Sequence, residues 1–313
     1  MDMQIPEALL RTSQPAPAYA VAASSRSVFS PQLSTRYDPA SAALWVRWAP
    51  APRPSFNPSL LDALAECARF IESGGGLLQF DGARVPLQYT VLASDSPGVF
   101  NLGGDLDLFL RLIAAQDRAG LVAYGKACVH VLYRNYVAYG LPLTTISLVQ
   151  GECLGGGFEA ALSSDIVIAE RHARFGFPEI MFNLFPGMGA YSFLERRVGR
   201  RSAEAIISSG KIYAADDMLE LGAIDSVVDS GQGQAQVNAL VERSARSRNG
   251  LQGLAAARRC VERVTHDELV DVVQVWADCA LRLTARDMKL MQRLVGRQTQ
   301  AAGPRADAPL ALH

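Results

Sequence analysis

The stretch Gly151-Glu152-Cys153-Leu154-Gly155-Gly156-Gly157-Phe158-Glu159 decides how the rest of the chain is interpreted, and Phe177-Pro178-Glu179 follows it closely. A strand-like segment at 144–150 leads into the glycines, and a helical segment follows them. Glycines let the backbone approach a bound group and leave N–H donors exposed where a helix begins. Two neighbouring carboxylates can divide the roles of acid and base if their pKa values differ. The stretch therefore predicts an active site built on Glu159 and Glu179.

A second glycine turn, Leu102-Gly103-Gly104-Asp105-Leu106, also leads from a buried strand (89–94) into a helix. Backbone N–H groups from two such turns that meet at one point would form an oxyanion hole. Such a hole stabilises negative charge on a carbonyl oxygen, for instance in the enolate of a thioester. One glycine turn alone is more often an ordinary connection, so the prediction depends on two turns and two carboxylates agreeing on one site.

The composition is that of an ordinary globular protein and excludes several functions. The chain has 313 residues, of which 49% are hydrophobic and 19% charged, so it can bury a sizeable core. A net charge of −1 gives no basis for nucleic-acid or membrane-surface binding, and the arginine-rich segment 195–201 is interpreted as an exposed helix junction. Without a signal-peptide pattern or an apolar run of about 18 residues, we expect a cytoplasmic protein with no membrane span.

The five cysteines are scattered and show no C-x-x-C spacing, which indicates reduced thiols. Cys153 lies inside the glycine stretch, but no histidine stands near it in sequence to activate it as a nucleophile. We interpret Cys153 as a small buried apolar side chain. His130 has no second ligand one helical turn away, so we expect no metal site.

The alternation of strands and helices predicts an α/β fold with parallel strands and helical crossovers. We divide the chain into a flexible N-terminal extension (1–35), a core that contains the active site (36–230), a helical C-terminal region (231–300) and a frayed tail (301–313). The C-terminal region is expected to pack against the core or against a neighbouring subunit.

Capping residues predict where several helices begin. Ser59 is a plausible N-cap for a helix that ends near Ser73, and Asp105 is suited to cap the helix after the second glycine turn. Beyond Gly233 the pattern predicts three amphipathic helices that reach about Gln298.

Taken together, these residues resemble the crotonase (enoyl-CoA hydratase/isomerase) family over residues 40–300. The segment 102–106 is similar to that family's first oxyanion turn, and 155–159 to its second. The resemblance implies a crotonase-type spiral of repeated ββα units, followed by a helical trimerisation or lid region. It also implies no cofactor beyond the carrier of the thioester. By position, the oxyanion donors would be the N–H groups of Leu102 and Gly156, and the acid and base would be Glu159 and Glu179.

The segment 180–193 departs from the typical hydratase. With 99–105 and 148–151, it resembles the bacterial diffusible-signal-factor synthases, which make cis-2-unsaturated fatty acids for quorum sensing. That resemblance implies dehydration of a 3-hydroxyacyl thioester on acyl carrier protein, with Glu179 acting at C2 and Glu159 at the 3-oxygen. Hydrolysis of the enoyl thioester to the free acid would follow in the same oxyanion hole. It further implies a homotrimer or hexamer and, for some relatives, a sensor-kinase partner.

Bulky apolar residues after Glu179 are predicted to line an acyl-chain pocket, with ordinary core packing as the alternative. Two other functions stay open. An ordinary enoyl-CoA hydratase of fatty-acid breakdown would release only a trans-2-enoyl thioester, and a non-catalytic binding protein of the same fold would tolerate loss of both glutamates. The predicted substrate-binding residues are Gly103, Gly104, Gly155, Phe182, Leu184, Phe185 and Met188.

Overall fold

A computed structural model of the chain describes residues 26–301, which form two sheets, a small hairpin and a set of surrounding helices. The strands are β1 (Arg26–Ser30), β2 (Leu33–Asp38), β3 (Ala43–Trp48), β4 (Leu77–Phe80), β5 (Ala83–Pro86), β6 (Tyr89–Ser94), β7 (Val99–Asn101), β8 (Thr144–Val149), β9 (Glu152–Leu154), β10 (Ile166–Glu170), β11 (Arg174–Gly176), β12 (Ile212–Ala214) and β13 (Ser226–Val228).

The helices lie between and after these strands. They are α1 (Pro58–Ser73), α2 (Leu106–Ala114), α3 (Arg118–Tyr136), α4 (Gly156–Leu162), α5 (Ala190–Val198), α6 (Arg200–Ser209), α7 (Ala215–Glu220), α8 (Gly233–Ser244), α9 (Arg248–Val261), α10 (His266–Ala280) and α11 (Ala285–Ala301), with 3-10 turns at Ala138–Gly140 and Pro178–Phe182. None of these described helices is long and apolar enough to cross a membrane.

The larger sheet has seven strands in the order β1-β2-β3-β6-β8-β10-β13. The strands from β3 to β13 run parallel to one another, while β1, β2 and β3 pair antiparallel. Parallel neighbours cannot be joined by a tight turn, so the chain crosses between them through helices. The central strand β8 is almost entirely buried, which explains its run of β-branched and apolar residues.

A second sheet of four short strands, in the order β12-β11-β9-β7, stands beside the first. Three of its strands directly follow strands of the larger sheet, because β7 follows β6, β9 follows β8 and β11 follows β10. A helical segment begins after each of them. This repeat of two strands and a helix is the predicted ββα spiral. It brings the two glycine turns and the Glu179 turn to the ends of three neighbouring strands.

Most of the core lies between the larger sheet and α1, α3 and α10, and a smaller apolar cluster lies on the sheet's other face under α8. Helix α10 packs along α3 and buries Trp276 almost completely. The ring of Trp276 lies against Gly187, where any added Cβ would overlap it. The C-terminal helices therefore form a wall of the core in this chain.

The predicted N-terminal extension is wrong for residues 26–35, which lie in β1 and β2. Strand β1 pairs with β2, and β2 pairs with β3 with Leu33 opposite Trp48. Four of the six residues of β2 are buried. The proline-, alanine- and serine-rich composition of the first forty residues hid these two short strands. Residues 1–25 of the predicted extension, and the tail beyond residue 301, lie outside the described residues.

Two boundary predictions also differ from the structure. The N-cap of α1 is Asn57, whose side chain accepts a hydrogen bond from Leu60 N at 2.9 Å; Pro58 then occupies the first helical position, so Ser59 already lies inside the helix. From Gly233 onward there are four helices and not three, because only residues 245–247 separate α8 from α9 and they contain no proline or glycine to mark the break. The prediction for Asp105 is confirmed, since its side chain accepts from Leu108 N at 3.2 Å.

Candidate active site

The two glycine turns meet in space at the ends of β7 and β9. A side chain at Gly103 would place its Cβ 2.9 Å from Gly156 N and 3.1 Å from Leu154 O. Gly103 also has a φ of +92°, a conformation that favours glycine. A Cβ on Gly156 would in turn lie 3.3 Å from Gly103 Cα. The glycines at these two positions therefore allow one turn to contact the other through backbone alone.

The structure corrects the predicted donor in the first turn. Leu102 N donates to Pro54 O at 2.8 Å, so this N–H already has a partner, and Phe56 N donates to Gly103 O at 2.8 Å. Among the described residues, neither Gly104 N nor Gly156 N has a hydrogen-bond acceptor, and both glycines line the same cavity. The sequence resemblance placed the donor two residues too early, because the pairing of Leu102 with a remote segment leaves no trace in the sequence.

Tyr124 on α3 fixes the first glycine turn through two hydrogen bonds. Its buried hydroxyl donates to Phe56 O at 2.6 Å and accepts from Asp105 N at 3.2 Å. The ring of Phe109 closes the same side, since a Cβ on Gly104 would lie 2.6 Å from Phe109 Cζ. Burial raises the pKa of Tyr124 well above its ordinary value, so this hydroxyl stays protonated and can donate. Nothing in the sequence distinguishes Tyr124 from the other core-facing residues of α3.

The second turn is held by backbone contacts and by aromatic rings. Gly155 N donates to Gly176 O at 2.9 Å, which ties this turn to β11. Gly157 lies against the backbone of Asn101, where any added Cβ would overlap the Asn101 carbonyl. The Phe158 ring, one residue before Glu159, stacks on Phe177 with ring centroids 5.0 Å apart. The start of α4 is therefore fixed relative to the strands that carry both glycine turns.

Glu159 lies in the first turn of α4, with its residue only 1% exposed. Its Oε1 accepts hydrogen bonds from Met188 N at 2.8 Å and Ala190 N at 2.9 Å. Burial raises the pKa of this carboxyl from 4.5 to about 7, and the two N–H donors limit the rise by stabilising the charged form. Glu159 therefore exchanges a proton near neutral pH.

Glu179 follows β11 and is the second residue of the 3-10 turn Pro178–Phe182. Burial, and then the charge of Glu159, raise its pKa from 4.5 to about 8. Its Oε2 is buried and has no hydrogen-bond partner within the described part of the chain. Gly155 lies directly against Oε1, so that any Cβ there would overlap the carboxyl. Because Gly155 has no side chain, the Glu179 carboxyl can lie against the second turn.

The two carboxyls titrate as a pair. Both pKa values lie close to neutrality, and ionisation of Glu159 opposes ionisation of Glu179. Near neutral pH the pair consequently holds about one proton, which gives one group able to donate and one able to accept. Two such groups beside two unoccupied backbone N–H donors can move protons on a substrate whose carbonyl becomes negatively charged.

A cavity of about 850 Å³ extends from these groups and is lined mainly by apolar side chains. The predicted residues Gly104, Phe182, Leu184 and Met188 line it, together with Leu102, Gly156 and both glutamates. Gly103 and Gly155 are not among its lining residues; they act through the close backbone contacts described above. Phe185 also does not line it and instead packs against the core, so its assignment to the pocket is wrong.

Much of the cavity wall comes from helices that carry neither the glycine turns nor the two glutamates. Helix α3 supplies Tyr124, Cys128, Val131 and Leu132, and α10 supplies Trp276. Their helical spacing was visible in the sequence, but any helix that faces a core shows the same spacing. Cys153 is fully buried, and burial raises its thiol pKa well above the ordinary value, as expected for an inert side chain.

Comparison with known proteins identifies the family that carries this arrangement. Residues 80–287, two thirds of the chain, match the family model described as enoyl-CoA hydratase/isomerase. The chain belongs to the enoyl-CoA hydratase/isomerase family. Its α/β fold is accordingly the crotonase fold that the sequence predicted.

Relatives of this family differ in how much of the chain they share. The fatty acid oxidation complex subunit alpha of Pseudomonas savastanoi pv. phaseolicola is 34% identical over 154 residues, which is 49% of this chain and 21% of that protein. This chain thus spans about a fifth of the length of that curated relative. The enoyl-CoA hydratase of Bacillus halodurans superposes with a TM-score of 0.70 at 19% identity, covering 84% of this chain and 99% of that one. Human mitochondrial delta3-delta2-enoyl-CoA isomerase gives 0.69 at 22% identity, covering 87% and 100%. These two structures share the fold.

Proposed function

We propose that this enzyme dehydrates a 3-hydroxyacyl thioester to a 2-enoyl thioester and then hydrolyses the thioester to the free acid. The observation that carries the proposal is the coupled pair of buried carboxyls, Glu159 and Glu179, placed beside the Gly104 and Gly156 N–H groups. Water addition or loss across a 2,3-bond needs an acid and a base on the same substrate, together with a site for enolate charge.

In the dehydration step, Glu179 removes the proton from C2 and the bonding electrons move onto the thioester carbonyl oxygen. The N–H groups of Gly104 and Gly156 stabilise that oxyanion. Glu159 then donates its proton to the 3-hydroxyl group, the C3–O bond breaks, water leaves and the C2–C3 double bond forms. The enzyme is left with Glu179 protonated and Glu159 ionised.

The pKa order indicates which protonation state the free enzyme favours. Because the pKa is about 8 for Glu179 and about 7 for Glu159, the shared proton resides preferentially on Glu179. That is the state which dehydration produces and which hydration consumes. The equilibrium between hydroxyacyl and enoyl thioester depends only on the substrate and the product, so removal of the enoyl thioester draws the reaction toward the unsaturated product. Hydrolysis in the same site supplies that removal, and its tetrahedral intermediate would use the same two N–H donors.

The finer part of the proposal is a free cis-2-unsaturated fatty acid of the diffusible-signal-factor type, made from a substrate on acyl carrier protein. It is supported by the sequence of 180–193 and by a largely apolar cavity of about 850 Å³, which has room for a long acyl chain. We propose that no cofactor takes part beyond the carrier of the thioester, and that a sensor kinase is a further partner.

We also propose that the enzyme is a homotrimer or hexamer. Ile180 and Met181, in the turn that carries Glu179, are 41% and 58% exposed in the single chain. Exposed apolar residues in such a position are typical of a surface that another subunit covers. Sedimentation analysis of the purified protein tests this directly, and a monomer at micromolar concentration would contradict it.

A second function is favoured by the curated relatives. The similarity to subunits of fatty acid oxidation complexes supports an ordinary enoyl-CoA hydratase, which would use the same pair of glutamates on a CoA thioester. Both functions share the dehydration chemistry and differ in the geometry and fate of the product.

The test is to give the purified enzyme a long-chain 3-hydroxyacyl thioester, once on acyl carrier protein and once on CoA, and to identify the products by mass spectrometry and chromatography. Free cis-2-enoic acid from the carrier-protein substrate supports the synthase. Only trans-2-enoyl thioester, with no free acid, would establish the hydratase instead. No dehydration of either substrate would contradict both and would favour a non-catalytic binding protein.

A further inference from the structure

The cavity has an open side and an enclosed side. At the open side Met181 and Ile212 line it while being 58% and 40% exposed. On the enclosed side its lining residues follow α3, from Tyr124 through Cys128 to Leu132. The Tyr124 hydroxyl adjoins Gly104, since a Cβ on that glycine would lie 3.5 Å from it. Leu132 lies eight residues further, about 12 Å along the helix axis. Helix α3 thus leads from the reacting groups to the enclosed end.

A second and much smaller cavity, of about 20 Å³, lies directly beyond this end. Three residues, Phe56, Val131 and Leu132, line both cavities, so they form a wall that is one side chain thick. On its far side the small cavity is bounded by residues of α1, α3 and α4, among them Cys67 and Ala160. An acyl chain long enough to pass this wall would enter the second cavity.

The members of the wall differ in how firmly they are held. The ring of Phe56 packs edge-on against Trp48 with centroids 5.7 Å apart. Its backbone pairs with Gly103 O and accepts the Tyr124 hydroxyl, so a shift of Phe56 would disturb the first glycine turn. Leu132 is equally buried, and it takes no part in the hydrogen bonds described above for the first glycine turn. Leu132 is therefore the part of the wall that can change without altering the reacting groups.

We propose that Leu132, backed by Phe56, sets the longest acyl chain that the enzyme binds, and that its replacement by a smaller residue admits longer chains into the space behind it. The proposal rests on the proposed function, because it takes the acyl part of a thioester as the occupant of the cavity. Each buried methylene should strengthen binding by about fourfold until the chain meets the wall. Beyond that length, binding should weaken, because a close-packed interior has no room for further methylenes and overpacking it is unfavourable.

The experiment measures Kd for saturated acyl-CoA thioesters, from octanoyl to palmitoyl, by isothermal titration calorimetry. These ligands cannot be dehydrated, so the measurement does not depend on turnover. Leu132→Ala should move the chain length of tightest binding upward by one or more methylenes, with about fourfold tighter binding for each one newly accommodated. Leu132→Phe should move it downward. Leu132→Val, a milder change, should shift it in the same direction as Leu132→Ala.

The matched control is Leu121→Ala, which removes the same atoms from a fully buried leucine of α3 that lines neither cavity. It should leave the optimum chain length unchanged. The proposal is overturned if the wild-type protein shows no chain-length optimum, if the Leu132 variants keep the wild-type optimum, or if Leu121→Ala shifts it as much as Leu132→Ala. A shifted optimum in an enzyme that dehydrates no 3-hydroxyacyl thioester would refute the proposed function and leave this inference standing.

Discussion

Replacing Glu159 by glutamine should stabilise the protein while it removes activity, and the gain should depend on pH. Glutamine has nearly the same shape and keeps an Oε1 that can accept from Met188 N and Ala190 N. What the change removes is a carboxyl whose ionisation inside the fold is unfavourable. Active-site groups of this kind are held at a cost to stability.

The magnitude follows from the pKa of Glu159. Its pKa is raised from 4.5 to about 7 in the folded protein, so between these values the folded state holds more protons than the unfolded state. The free energy of unfolding of the wild-type protein therefore falls as pH rises through this interval, by about 3 kcal/mol in total. Glu159→Gln lacks this loss. Its advantage should be absent below about pH 4.5, grow up to about pH 7 and then level off. Loss of the Glu159 charge also lowers the pKa of Glu179, which adds to the gain at alkaline pH.

The assay is urea unfolding followed by the fluorescence of the buried tryptophans at several pH values between about 5 and 8. Glu170→Gln is the matched control. Glu170 is another buried carboxylate, but its oxygens accept from Gln150 Nε2 at 2.8 Å, Gly231 N at 2.8 Å and Gly233 N at 3.1 Å. An amide NH₂ facing these donors should destabilise the fold by about 1–3 kcal/mol. A Glu159→Gln variant that is no more stable than wild type at pH 8, or whose advantage does not change with pH, would refute the reasoning.

Three further predictions concern activity. Glu179→Gln should lower kcat for dehydration by about 10²–10⁴-fold while thioester binding persists; an unchanged kcat in a steady-state assay would remove Glu179 from the chemistry. Tyr124→Phe, which removes the hydroxyl between Phe56 O and Asp105 N, should lower kcat by about tenfold or more with little change in KM, whereas an effect on KM alone would speak against a role in positioning Gly104. Gly155→Ala should lower kcat by about 100-fold because its Cβ would displace the Glu179 carboxyl, whereas Gly222→Ala, at a φ of +77° with open space around it, should cost some stability and leave kcat at the wild-type value.

The sequence predicted those parts of the site that depend on the local chain. The glycine run fixes where α4 begins, and Glu159 must then lie in its first turn. The buried strands β6 and β8 showed apolar and β-branched runs, and their boundaries fell within one residue of the prediction. Because parallel strands end at one edge, the meeting of the two glycine turns with Glu179 could be predicted from the order of elements alone.

What the sequence did not predict depends on contacts between remote segments. The strands β7, β9, β11 and β12 have three residues each, too few for any periodicity to show, so the second sheet was missed. The choice between Leu102 and Gly104 as a donor depends on Pro54 O, which lies 48 residues before Leu102. The cavity wall from α3 and α10 has the same apolar spacing as any core-facing helix, and only the fold shows that part of it borders an empty space.

The most direct test of the central claim is a single-turnover measurement with excess enzyme and a long-chain 3-hydroxyacyl thioester, in which mass spectrometry follows the loss of one water from the acyl group. We predict that the wild-type enzyme forms the unsaturated acyl group and that the folded variants Glu159→Gln and Glu179→Gln form it at least about 100-fold more slowly. Loss of water at the wild-type rate in either variant would contradict the claim that these two carboxyls perform the reaction.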